Sequence, residues 1–257
     1  MKRSAFFLGV FVLAAALAGA QDGAAIIAAS RSSMDAQTVS TRSRLVITAR
    51  NGSTTERVID QYSKKGPQGD RMIIQFQSPA SVRGTRFLTM ENGTGGTDQW
   101  IFLPSLGRTR RIAADDSGGN FMGTDMSYDD MAAASRDSGA DTHRIVREEV
   151  YQGVPCYVIE SIPKDGSYQY SKTLSWIAKE NNSSLRIEMF DRRGAVAKVM
   201  ESSGFREVSG RLTATVVRIS TVSAGTSTTV YTDIIRYDEP IPEGVFTLTY
   251  LETGVPG

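Results

Sequence analysis

The sequence predicts a mainly β fold with few helices (α+β). It is expected to be a curved, incompletely closed antiparallel β-barrel, or half-barrel, covered by an N-terminal helix and a short central helix or loop lid. Three observations predict it. Short runs of alternating apolar and polar residues recur through most of the 257-residue chain, separated by turn signals such as Asn51-Gly52 and Gln152-Gly153-Val154-Pro155. Helical spacing is confined to the start of the mature chain and to one short central stretch. The apolar strand faces are too large for two short helices to cover, so the sheet must curl on itself or leave a partly filled apolar hollow.

Taken in order, Lys2 and Arg3 precede an apolar run from Ala5 to Leu17, and Ala18-Gly19-Ala20 supplies the small residues that cleavage before Gln21 requires. Residues 1–20 are therefore expected to be a cleaved signal peptide and 21–257 a single domain in the periplasm. No Cys follows Ala20, so no lipid anchor is expected. Removing the signal takes away Lys2 and Arg3 and no acid, so the formal charge passes from +1 to −1. That balance argues against nucleic acid as a partner, because such binding rests on neutralising many phosphates.

Asp22 to Met34 reads as a helix with Asp22 as its cap and Ala25, Ile26 and Ala29 on one face. Strands follow around Leu45, Ile47 and Ala49, over Thr54 to Tyr62, through Met72, Ile74 and Phe76, and over Gly84 to Met90 and Gln99 to Leu103. After the central insert, Asp115 to Ser138, come Arg144 to Tyr151, Cys156 to Ile162, Leu174 to Ala178, Leu185 to Phe190, Ala195 to Met200, Leu212 to Thr221 and Thr229 to Tyr237. The insert is glycine-rich at first and then suggests one short helix, in a position to cover an open face.

Chemistry-bearing motifs are scarce. Cys156 is the only cysteine and His143 the only histidine, which excludes an internal disulfide and a His-rich zinc site. No phosphate loop, dinucleotide fingerprint or calcium loop is present. His143 is read as a surface histidine. Asp115, Asp116, Asp125, Asp129 and Asp130 fail the calcium-loop spacing and read as caps and solvated loop. Arg108, Arg110 and Arg111 are either a solvated edge that resists strand addition or a patch for anionic headgroups or a partner. No cofactor, metal or catalytic residue is expected.

Four stretches, Gly84 to Met90, Asp98 to Leu106, Gly107 to Ile112 and Gly119 to Asp130, together resemble the periplasmic outer-membrane lipoprotein-sorting proteins of the LolA-like superfamily. The resemblance implies a curved antiparallel sheet whose concave apolar side is covered by helices and carries lipid-linked cargo. Its partners would be lipoprotein acyl chains or another lipid, an inner-membrane donor transporter and an outer-membrane acceptor. It also implies an arginine near the cavity mouth that holds a helical lid, a role assigned to none of Arg42, Arg44 and Arg86.

Met72, Ile74, Phe76, Phe87, Met90, Trp100, Phe102, Phe121, Met122, Met126, Trp176, Ile187 and Met189 are the expected lining of an apolar cavity, with core packing as the alternative for each. The methionines suit a lining that repacks around different chains. Gly118-Gly119 and Gly123 are expected to let Phe121-Met122 move as a lid, and Arg86, Arg108 and Arg110 to meet headgroups or a membrane-bound partner. A non-transporting envelope interaction or structural protein, an accessory protein of a membrane lipid transporter and an enzyme are the other readings.

Overall fold

The computed structural model describes residues 22–92, 96–132, 138–166 and 168–256. The expected cleavage site at Ala20 and Gln21 lies outside them. Helix α1 (Gly23–Ser32) starts where Asp22 accepts a hydrogen bond from the Ala24 amide, 3.0 Å. Thirteen strands follow: β1 (Thr38–Thr48), β2 (Thr54–Lys64), β3 (Arg71–Ser78), β4 (Arg86–Glu91), β5 (Thr97–Leu103), β6 (Arg108–Arg111), β7 (Asp141–Tyr151), β8 (Val154–Pro163), β9 (Lys172–Ala178), β10 (Ser184–Phe190), β11 (Val196–Val208), β12 (Arg211–Thr221) and β13 (Thr226–Tyr237). The insert holds a 3-10 turn at Phe121–Gly123 and helix α2 (Tyr128–Ala132). A further 3-10 turn (Glu243–Phe246) and helix α3 (Leu248–Thr253) follow β13; the sequence does not signal this helix.

All thirteen strands form one antiparallel sheet in the order β6-β5-β4-β3-β2-β1-β13-β12-β11-β10-β9-β8-β7. Two meanders meet at the β1–β13 pair, and the insert runs from one edge strand, β6, to the other, β7. The sheet is not closed into a barrel.

The insert also shows which face is concave. Gln99 on β5 donates to the Tyr128 carbonyl at 2.8 Å, while Asp130, two residues on, is bonded to Lys198 on β11. Those strands lie seven intervals apart, roughly 34 Å on a flat sheet. Two peptide units and the three side chains of Gln99, Asp130 and Lys198 cannot bridge that span, so the sheet curls around the insert. Register carries this face across the sheet: Phe87 pairs with Ile74, Leu45 with Val230, Ile219 with Met200, Met200 with Ile187, and Ile159 with Ile145. The concave face thus carries both the insert and α1, and the convex face carries α3.

Candidate functional site

The concave trough is covered unevenly. Under the insert, Phe121 is 0% exposed and packs on Phe87, Phe76 and Tyr128 with ring centroids 4.9, 5.8 and 5.8 Å away. Leu45, Ile59, Ile74, Ile101 and Ile112 complete this buried cluster, with Met72, Met122, Met126 and Met131 packed around it. Phe121 is aimed inward by a self-bonded loop: its amide donates to the Met126 carbonyl at 2.7 Å, and the Thr124 amide donates back to the Phe121 carbonyl at 2.9 Å. Met122 and Gly123 take left-handed backbone angles, φ 50° and 75°, so Gly123 shapes the turn.

Three polar clamps hold the insert down. Arg57 on β2 donates to the Met122 carbonyl, while its Nε has no partner, and burial pulls its guanidinium below the ordinary range. The buried Asp125 carboxylate accepts from the hydroxyls of Thr221 (2.7 Å), Thr226 and Thr228 (2.8 Å). Asp130 accepts from Lys198, from the Tyr170 hydroxyl at 2.7 Å and from the Gln169 amide at 3.0 Å. Burial, followed by the Asp130 charge and hydrogen bond, pushes the Tyr170 phenol far up, so it remains a donor. The aspartates read from sequence as caps and solvated loop include these two interior clamps. The long-range partners, Thr228 and Lys198, have no local sequence signal.

Beyond the insert, Ile187, Met189, Met200 and Val217 continue the trough floor and are only half-buried. Past them, Ile26 and Ile27 of α1 cover Ile159 and Ile177. The floor is therefore closed at both ends by chain and partly open between.

The expected lining residues divide between the two faces. Met72, Ile74, Phe76, Phe87, Phe121, Met122, Met126, Ile187 and Met189 belong to the concave side. Met90, Trp100 and Phe102 do not: one-residue alternation turns them outward, where they pack with Ile73, Leu88 and Leu251 beneath α3. Trp176 is also convex, stacked between Arg147 and Arg186 at 5.4 and 5.5 Å from the ring centroid.

Arg86 is not placed for a headgroup. It is buried, stacks on Phe102 and donates to the carbonyls of Leu251 (2.6 Å) and Glu252 (2.7 Å), capping α3. Arg108 and Arg110 are exposed on edge strand β6, and Arg110 lies 3.6 Å from Asp116. Arg42 pairs with Asp60 on the convex face and Arg44 with Glu56. The arginine that reaches the Phe121 loop is Arg57, missed from sequence although its alternation with Ile59 puts a charge at an inward position. His143 is half-buried, with Nδ1 2.7 Å from Ser161 Oγ.

A separate cleft of about 420 Å³ lies on the convex face between β1, β2 and the segment before α3, lined by residues including Tyr62, Ile234, Ile241 and Tyr250. It is not the hollow expected from sequence. Among the described residues, no cluster of His, Cys, Asp or Glu is placed to hold a metal, and no helix is long and apolar enough to cross a membrane.

A family model described only as "-like: Uncharacterized protein" matches residues 68–253. The chain belongs to that family. In fold, the chain matches an outer-membrane lipoprotein-sorting protein domain from Vibrio parahaemolyticus with 24% identity and a TM-score of 0.82, over 90% of this chain and 98% of that one. A DUF1329 family protein from Desulfovibrio piger gives 26% identity and a TM-score of 0.84, over 89% and 97%. A LolA superfamily protein from Nitrosomonas europaea gives 20% and 0.72, over 89% and 99%. No curated protein matches this chain.

Proposed function

We propose that this LolA-like protein is a periplasmic carrier that shields an acyl chain of a lipoprotein or other lipid in its concave trough during transfer toward the outer membrane. An inner-membrane donor would load it and an outer-membrane acceptor would empty it. The observation that carries the reading is the contrast along one floor: Phe121 fills the space over β3 and β4, while the same face continues as a half-buried strip of Ile187, Met189, Met200 and Val217. An acyl chain laid on that strip gains space if the Phe121 loop lifts.

One of the three clamps suits such movement. Arg57 holds the loop by one carbonyl and leaves its own Nε unsatisfied, a hold weaker than a paired guanidinium. A roughly 16-carbon chain represents on the order of 12 kcal/mol of gross transfer energy, ample to offset loss of such contacts. No catalytic step is part of this reading.

The test is a titration of purified 21–257 with pyrene-labelled palmitate, alongside mass spectrometry of organic extracts of the gently purified protein. Binding by the native chain and a changed affinity in Phe121→Asp are expected. Unchanged binding in that variant would overturn the trough and lid assignment. The solid packing around Phe121 favours a second reading, an envelope interaction protein with a filled interior. It predicts no extractable lipid and a persistent protein partner on size exclusion.

A further inference from the structure

Strand register sorts the connections of the sheet to two ends, and the ends differ in charge. The pairs Thr48↔Thr54, Val58↔Ser78, Arg86↔Phe102, Lys198↔Thr221 and Thr221↔Thr226 put connections 49–53, 79–85, 104–107, 191–195 and 222–225 at one end. These loops carry Arg50, Arg83, Arg192 and Arg193, with Arg108 one residue beyond. Their one acid, Asp191, is occupied through Oδ1 by the amides of Arg193 and Ala195, both at 2.9 Å. The connection 164–171 adds Lys164 and Asp165, which cancel. The opposite end carries Asp70, Glu180, Asp238, Glu239 and Glu243 against Lys65 and Lys179.

The basic end also presents isolated aliphatic side chains at loop tips. Leu106 is 56% exposed, held up by a turn in which its amide donates to the Leu103 carbonyl at 3.0 Å and that of Gly107 to Pro104 at 3.1 Å. Val222 is 53% exposed at the tip between β12 and β13, where Arg50 ties two turns together through the carbonyls of Ser223 (2.7 Å) and Ala224 (2.9 Å). Arg108 and Arg193 have no acidic partner among the described residues. Pro104 lies beside Gly84, which brings Arg83 to the same tip as Leu106.

We infer that this basic end, with Leu106 and Val222 at its tips, is a docking surface for an anionic lipid bilayer. Single aliphatics separated by arginines suit the headgroup layer: each arginine adds attraction to anionic headgroups and each aliphatic tip enters the acyl boundary. A protein partner of comparable affinity would call for a contiguous apolar patch, which separated tips do not supply. This surface is distinct from the trough and needs no cargo.

The test is cosedimentation of purified 21–257 with vesicles of equal parts phosphatidylglycerol and phosphatidylcholine, and with phosphatidylcholine alone. Binding to the anionic vesicles only, falling with salt, is expected. Arg108→Gln and Arg193→Gln should each lower it about fivefold, and Leu106→Asp about tenfold or more. Leu212→Asp, an exposed position at the opposite end, is the control. No binding to anionic vesicles, or equal losses in the control, overturns the docking surface. Because these residues lie outside the trough, pyrene-palmitate binding in solution should be unchanged in every variant. Retained acyl binding without vesicle binding would defeat the docking surface alone, and the reverse result would defeat the carrier reading alone.

Discussion

The two halves of the sheet solve the same covering problem differently. Over β1–β6, chain segments cover both faces: the Phe121 loop and α2 on the concave side, and α3 with its preceding turn on the convex side. Over β7–β11, among the described residues, α1 covers the concave edge and the insert reaches in through Asp130, bonded to Lys198 on β11. The convex apolar residues there, Cys156, Val158 and Trp176, lie under a layer of Arg147, Arg186, Glu149 and Glu201. Stems of charged side chains shield apolar surface while their heads stay in water. The first half therefore depends on packing. The second responds to charge.

The largest expected effect breaks the first kind of cover. Phe121→Asp places a carboxylate among Phe76, Phe87 and Tyr128 and is expected to cost about 3 kcal/mol or more in urea unfolding. Asp125→Ala leaves the buried Thr228 hydroxyl without its carboxylate and should cost about 2–3 kcal/mol. Hydrogen exchange in that variant should rise in 117–132 while β3 and β4 stay protected. Arg86→Leu removes the charged donor from the α3 terminus, at about 1.5–3 kcal/mol, and should loosen α3 without releasing the insert.

Smaller effects belong to the second half. Glu160 on β8 accepts from Lys172 at 2.9 Å and Arg144 at 2.7 Å, which hold its carboxyl below its ordinary 4.5. The native state then binds this proton less readily than the unfolded chain. The stabilisation is present above the unfolded value and lost as pH falls through the lowered native one. Both cationic partners are over a third exposed, so the contribution is under about 1 kcal/mol. Glu160→Gln should flatten the acid limb of a stability–pH curve; an unchanged limb would remove Glu160 from the account. Met200→Ser, on the half-buried floor, should shift urea unfolding least while weakening pyrene-palmitate binding, which would separate open floor from closed core.

The halves were unequally legible in the sequence. Alternation and turn chemistry locate β3, β5, β9 and β10, and Asp22 marks the start of α1. The Phe121 loop is visible only as a glycine-rich interruption carrying an aromatic residue. The closing helix escapes because Leu248–Thr253 is too short for a helical period to stand out. Arg57 is recoverable in principle from its inward position beside Ile59, whereas the partners of Asp125 and Asp130 lie 103 and 68 residues away.

By itself, the sequence determined that the chain is a meander of short strands with an N-terminal helix, a central insert and no disulfide, because these follow from local periodicity and residue chemistry. Tertiary structure decided which side of each strand faces inward. A period of two distinguishes two sides but does not name them, and the choice passes from strand to strand only through pairing register. The same pairing put Trp100 and Phe102 under α3, Phe87 under Phe121, and the arginine-bearing tips together at one end.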